Sequence, residues 1–253
     1  MTKLKFLIIA ISAIFLVSCQ FSENIYLNAD GSGKMEFSFD ASELMQMAGD
    51  QMAEGAGDED IDSTFTFKEI FDEKRDSISK LPIEEQEKLK ALEPFSVHML
   101  MSKNDKKMNV DFYTDFKNTT ELQDMFMALN AVSNLKGQGD AKVNDSSNLF
   151  SSMGDGGNSQ LSYSFKDGVF RRSVKVLDKE LQKQMKDSLG QAAMMFANSK
   201  YRLNYHFPRK VKSVSNDKAM FSADGKTVIV EYGLMDYLSN PEVMNLEIVL
   251  EKE

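Results

Sequence analysis

Ile25-Tyr-Leu-Asn-Ala-Asp-Gly-Ser-Gly-Lys-Met-Glu-Phe-Ser-Phe39 is the stretch from which the fold is read. Ile25 and Leu27 alternate with polar neighbours, and so do Met35, Phe37 and Phe39, with Asp30-Gly31-Ser32-Gly33 between the two rows. Successive side chains of a strand point to opposite faces. Alternation on both sides of an Asp-Gly turn therefore marks a β-hairpin with one buried face. Asp40 follows as a helix N-cap with Glu43 three residues on, the spacing of a capping box. Leu44, Met47, Ala48 and Met52 then recur at helical spacing. The unit reads strand, strand, helix.

The unit returns twice. Phe95, Val97, Met99 and Met101 alternate, Asn104-Asp105-Lys106 turns, and Met108, Val110, Phe112, Thr114 and Phe116 alternate back. Asn118 and Glu121 repeat the capping spacing ahead of Leu122, Met125, Phe126 and Leu129. Leu161, Tyr163 and Phe165 lead to Lys166-Asp167-Gly168, and Phe170, Arg172, Val174 and Val176 return. Asp178 then caps a long helix with Leu181, Met185, Leu189, Ala192, Ala193 and Phe196 on one face.

Between the units lie polar stretches. Residues 54–64 are acidic and poor in apolar groups, and 135–159 are rich in Gly, Ser, Asn and Asp; both are expected to be mobile loops. Residues 65–92 carry two short helices separated near Pro82. From Tyr201 to Leu250 the pattern is all strand, with a further Asp224-Gly225 turn. Strands with one wet face favour an antiparallel sheet covered by helices on the other face. The expected fold is α+β: one domain over residues 24–253, an antiparallel sheet of β-hairpins with helices packed on one face.

The chain opens differently. Lys3 and Lys5 precede an apolar run, Phe6 to Val17, broken only by Ser12. Twelve residues are too few to cross a bilayer core, which takes about 20 in a helix. A charged start, a short apolar core and small residues near a cleavage point have the layout of a secretory signal, here residues 1–18. Leu16-Val17-Ser18-Cys19 resembles the lipobox of bacterial lipoproteins. That resemblance implies cleavage before Cys19, a diacylglyceryl thioether on its sulfur, an added acyl chain such as palmitate, and residues 19–23 as a short tether. Cys19 is the single cysteine of the chain, so no internal disulfide can form. One acyl chain holds a protein only marginally, whereas two or more hold it firmly. The expected location is the cell envelope, in the outer membrane, with the bilayer contacted through Cys19.

Loss of Lys3 and Lys5 with the leader takes the formal charge from −9 to −11. Nucleic-acid binding rests on Lys and Arg neutralising phosphates, so a nucleic-acid partner is excluded.

Asp58-Glu-Asp60-Ile-Asp62 with Glu69 places carboxylates at positions 1, 3, 5 and 12 of a twelve-residue run, the spacing of an EF-hand calcium loop. Position 6 is Ser63 where that loop takes Gly, and an acidic solvated loop is the competing reading. Paired methionines at Met45/Met47, Met99/Met101 and Met125/Met127 suit soft metals but also simple core packing. His98 and His206 each fall opposite an apolar row, two ligands where zinc takes three or four. No nucleophile elbow, phosphate loop or dinucleotide fingerprint occurs, and no cofactor is expected. Arg171, Arg172, Lys175, Arg209, Lys210 and Lys212 form a candidate basic patch for lipid headgroups, or equally the wet face of the sheet.

Tyr201-Arg-Leu-Asn-Tyr-His-Phe-Pro-Arg-Lys-Val-Lys-Ser-Val-Ser-Asn216 with Asp224-Gly-Lys-Thr-Val228 is similar to the end of the LppM-like lipoprotein domain. The lipobox and the Asp30–Gly33 hairpin fit the same family. Glu231-Tyr232 stands where that family usually has Trp, and the helical inserts are longer. The resemblance implies a lipid-anchored α+β envelope domain with lipid or glycolipid contact, and transfers no catalytic residue. The chain is thus expected to be a non-enzymatic binding or structural module for lipid, glycan or an envelope protein. The alternatives are a calcium-dependent binding protein using residues 58–69 and, third, an envelope enzyme.

Overall fold

Alternation at period two becomes strand. β1 (Gln20–Leu27) and β2 (Gly33–Asp40) pair antiparallel with Ile25 opposite Met35 and Leu27 opposite Gly33. Gly31 supplies the left-handed turn residue at φ +87°. Gly33 is required for space: a β-carbon there would run into the Tyr26 carbonyl and the Phe116 ring. The computed structural model describes residues 20–48, 60–90, 92–122, 158–188, 194 and 196–252. Residues 1–19, over which a leader and a lipidated Cys19 are expected, Asp58 and most of 135–159 lie outside the described residues.

Beyond β1 and β2 come β3 (Ile61–Thr66), β4 (Ser96–Ser102), β5 (Lys107–Phe116), β6 (Ser159–Lys166), β7 (Val169–Val176), β8 (Lys200–His206), β9 (Val211–Val214), β10 (Met220–Phe221), β11 (Thr227–Gly233) and β12 (Leu246–Leu250). The helices are α1 (Ser42–Ala48), α2 (Phe67–Glu73), α3 (Arg75–Ile78), α4 (Ile83–Lys90), α5 (Lys179–Ser188) and α6 (Leu234–Ser239). The fold is α+β with short helices, and among the described residues the strand pairs are antiparallel except one. β1 and β8 run parallel, Phe21 beside Tyr201 and Ile25 beside Tyr205.

The strands make two sheets, an eight-stranded one in the order β10-β11-β8-β1-β2-β5-β4-β3 and a four-stranded one in the order β6-β7-β12-β9. The third hairpin, β6 and β7, belongs to the second sheet. The inner face of the large sheet is divided between two covers. Over β1 and β8 lies the small sheet, where Phe170 meets Tyr205 at 5.2 Å and Phe207 at 5.6 Å. Over β5 lies α2, whose Phe67 stacks on Phe112 at 6.1 Å. Phe21 stacks on Phe39 at 4.5 Å in between. Apolar burial of this kind, at about 25 cal/mol per Å², is the main force holding the layers together.

Several expectations change. Residues 20–23 are not a tether: β1 starts at Gln20, bonded on one side to β2 and on the other to β8. The expected loop at 54–64 ends in strand, because Ile61–Thr66 pair with β4. None of its side chains is fully buried, Asp62, Ser63 and Thr64 are exposed and Phe65 packs partly against the core, so its own alternation is weak and its backbone pairing with β4 defines the strand. Ser159, the last residue of the other expected loop, opens β6.

Asn118 caps as expected, accepting from the Thr120 amide at 3.0 Å at the head of a 3-10 turn, Thr119–Glu121, while Met125, Phe126 and Leu129 of the expected helix lie outside the described residues. Asp40 accepts from the Ser42 amide at 2.9 Å, while Glu43 Oε1 is buried with no hydrogen-bond partner among the described residues. A complete capping box occurs instead at Thr66 and Glu69. Asp178 caps α5 through the amides of Glu180 and Leu181. Among its described side chains Gln182 is buried and Leu181 is exposed, while Leu189, Ala192 and Ala193 lie outside the described residues. Gln182 donates to the Leu238 carbonyl and accepts from Asn158. The C-terminal region is also not all strand. Leu234 and Tyr237, three apart, turn the buried face of α6 inward.

Candidate functional site

Inward positions of β1 read Phe21, Glu23, Ile25, Leu27, and those of β7 read Phe170, Arg172, Val174. A carboxylate and a guanidinium thus occupy core positions in two rows that are otherwise apolar. The sheets bring them together. Arg172 Nη2 lies 3.4 Å from Glu23 Oε2 and Nε 3.4 Å from Oε1, and Nη1 donates to the Met244 carbonyl. Three phenols complete the shell of Glu23. Tyr163 from β6 donates to Oε1 at 2.7 Å, Tyr205 from β8 donates to Oε1, and Tyr201 from β8 donates to Oε2 at 3.0 Å.

All five residues are between 1% and 3% exposed. A buried charge is tolerated only when paired and hydrogen-bonded, and this carboxylate has five donor contacts. Burial, and after it the Glu23 charge, pushes the Tyr201 and Tyr205 phenols well above their ordinary value of 10.0, so both stay protonated and donating. For Arg172, burial by itself lowers the pKa, but the attraction of the Glu23 carboxylate outweighs it and holds the guanidinium well above its ordinary value. Chemically the cluster is inert: its acceptors are occupied, its donors are engaged and no face of it meets solvent. It ties the large sheet to the small one through charge as well as rings.

The wet face of the large sheet holds the two histidines, as their strand positions imply. His98 Nε2 faces Asp62 Oδ1 at 3.0 Å and Nδ1 faces Asp111 Oδ2 at 3.5 Å, joining β3, β4 and β5. The Asp62 hydrogen bond, more than burial opposes it, raises the His98 pKa above 6.5. His206 stacks flat on Tyr26 at 4.3 Å and 3°, with Nδ1 3.0 Å from Thr227 Oγ1. Burial lowers its pKa, so it is neutral at pH 7.

The acidic run is dispersed along extended chain. Asp60 accepts from Ser102 Oγ and the Lys103 amide, Asp62 meets His98, and Glu69 caps α2 through Thr66. Among the described residues no group of three or more His, Cys, Asp or Glu could hold a metal ion. Of the methionine pairs, Met101 is buried and Met99 packs against the core.

The basic set is divided. Arg172 leaves it for the core cluster, because alternation along β7 sends it inward between the outward Arg171 and Lys175. Arg171 pairs with Glu247 at 2.7 Å, and Arg209 donates to the Glu251 carbonyl. Lys175, Lys210 and Lys212 are exposed. A separate cleft of about 330 Å³ opens between the short helices, lined by Phe71, Arg75, Ile78, Ile83, Gln86 and Leu89 among others. Among the described residues no helix is long and apolar enough to cross a membrane.

The Glu23 cluster was the feature sequence reasoning missed. Its signal was present as one charged residue in each of two apolar alternations, but nothing local says that the two positions meet.

No family model matches the chain, and neither does any curated protein. Among solved structures it is similar to the NMR structure of the folded domain of the LppM protein of Mycobacterium tuberculosis, at 10% sequence identity and a TM-score of 0.38, over 95% of each chain.

Proposed function

We propose that the chain is a lipid-anchored, non-enzymatic module of the cell envelope that acts by binding on its surface. The observation that carries this reading is the start of β1 at Gln20, the residue after Cys19, with hydrogen-bonded strands on both sides. A lipid on Cys19 would then hold the folded body itself rather than the end of a flexible arm. Two further features support binding over catalysis or internal carriage. The densest group of ionisable side chains is sealed and saturated with hydrogen bonds, so it has no acid, base or nucleophile to offer a substrate. The space between the two sheets is filled by rings of Phe21, Phe170, Tyr205 and Phe207, where an acyl chain would have to lie. The surfaces left for a lipid headgroup, a glycan or an envelope protein are the open face of the large sheet and its turns.

Mass spectrometry of the full-length chain made in a bacterial host tests the anchor. The expected product begins at Cys19, carries diacylglyceryl and acyl groups, and sediments with membranes. Cys19→Ala should keep the leader or leave the membrane fraction. A mature chain starting elsewhere, or an unmodified Cys19 thiol, refutes the reading.

A further inference from the structure

We infer that the body meets the bilayer with one rim of the large sheet and presents the opposite rim outward, at a distance set by strand length. The inference rests on the anchoring reading above and adds an orientation and a contact surface to it.

Gln20 is bonded in register with Asp40 of β2 and Lys200 of β8 from the first residue of the strand. One peptide spans at most about 3.6 Å, so the anchor cannot act as a swivel of useful length. Neighbouring strands lie about 4.8 Å apart, which places Lys200 and Asp40 about 5 Å from Gln20 across the sheet. Gly233, in register with Lys200, and Asn109, in register with Asp40, follow about 10 Å away. β5 begins two residues before Asn109, at Lys107, and so reaches about 7 Å further toward the anchored side than Gln20 does. The β4–β5 turn there carries Lys103, Lys106 and Lys107, the last two exposed, and Lys200 is exposed beside Gln20. Asp40, Asp60 and Asp105 share this rim and Lys200 lies 3.9 Å from Glu231, so the position of the anchor rather than net charge brings the rim to the bilayer, with Lys106 and Lys107 placed to meet anionic headgroups.

The other rim follows from the same registers. β8 is parallel to β1, so His206 stands about 20 Å along the strand from Lys200. Phe207, Pro208, Arg209 and Lys210 continue beyond it. The turn at Gly168 joins them there, with its carbonyl accepting from Leu250 and the Lys210 carbonyl accepting from Glu251. Arg209 and Lys210, candidates for headgroup contact on sequence grounds, therefore face away from the membrane that holds the chain. The lysines of the anchored rim take that role instead.

The chain has no tryptophan, so a single introduced one reports its own position. Lys107→Trp or Asp105→Trp on the anchored rim, and Lys210→Trp on the far rim, would be placed in the full lipid-modified chain. Each is then reconstituted into phosphatidylcholine–phosphatidylglycerol vesicles containing a nitroxide on the lipid headgroup. The expected result is quenching at 107 and 105 several-fold greater than at 210, with the difference reduced when Lys103 and Lys106 are changed to Glu. Vesicle-bound, lipidated protein with equal quenching at the two rims, or more at 210, overturns the orientation and leaves the anchor intact. Protein whose mass shows no lipid on Cys19 and which does not float with the vesicles overturns both.

Discussion

Replacing Arg172 by Met removes the guanidinium from the Glu23 carboxylate while keeping most of the side-chain volume. The variant leaves a charge that is 1% exposed with three phenol donors and no counter-ion. Breaking one side of a buried ion pair costs about 3–5 kcal/mol, because the remaining charge has already lost its water. A domain of this size unfolds with about 5–15 kcal/mol in total, so the loss takes a large share of it. At about 2–4 °C per kcal/mol the melting temperature should fall by about 6–20 °C. The near-ultraviolet circular dichroism of tyrosine is the assay of choice, since three of the seven tyrosines surround Glu23 and there is no tryptophan to mask them. The pair Glu23→Leu with Arg172→Met should recover only part of the stability, since it removes both charges' desolvation costs but takes the Glu23 acceptor from the three buried phenols, at about 1–3 kcal/mol for each one left unsatisfied. A loss below about 1 kcal/mol for Arg172→Met, or a double variant as damaged as the sum of the two singles, would refute the reasoning.

The same cluster predicts alkaline sensitivity. Tyr201 and Tyr205 have folded pKa values raised above 10.0, so their contribution is complete below pH 10 and is lost as pH rises from there toward the folded values. Denaturation midpoints measured across that range should fall by up to about 2.7 kcal/mol per pH unit for the two phenols together, and less in Tyr205→Phe. His98 has the same sign at a lower pH. Its raised pKa stabilises the β3 edge fully below pH 6.5 and the effect is lost as pH climbs through the folded value, so β3 amides should exchange faster at pH 8 than at pH 5.5 after correction for the intrinsic rate. His98→Gln should abolish the difference. Gly33→Ala should destabilise by about 1–3 kcal/mol because its β-carbon meets the Tyr26 carbonyl, whereas Gly225→Ala, which meets only the flexible Lys210 side chain, should cost through its φ of +69° instead. A Gly33→Ala loss within about 0.5 kcal/mol, the range of an ordinary surface change, would remove the steric explanation.

Much of the architecture was legible locally. The Ile25–Phe39 alternation, the Asp-Gly turns and the caps at Asn118 and Asp178 are written in neighbouring residues, and the hairpins formed where those signs stood. The edge strand at Ile61–Thr66 was not legible, because its place comes from backbone pairing with β4 and from the meeting of Asp62 with His98, a residue 36 positions away. Gln182 rather than Leu181 faces inward because Asn158 and the Leu238 carbonyl wait there, and both come from other parts of the chain.

What the amino-acid sequence by itself determined is therefore short in range: the strands and turns, and the α+β class. The tertiary structure alone decided that β8 lies parallel beside β1, that the third hairpin leaves for a second sheet, and that Glu23 meets Arg172, 149 residues away. Periodicity is set by the geometry of a few successive residues, so one strand announces itself. Which strand lies beside it, and which of two buried charges finds the other, depends on the free energy of the whole packed core, to which no short window of sequence has access.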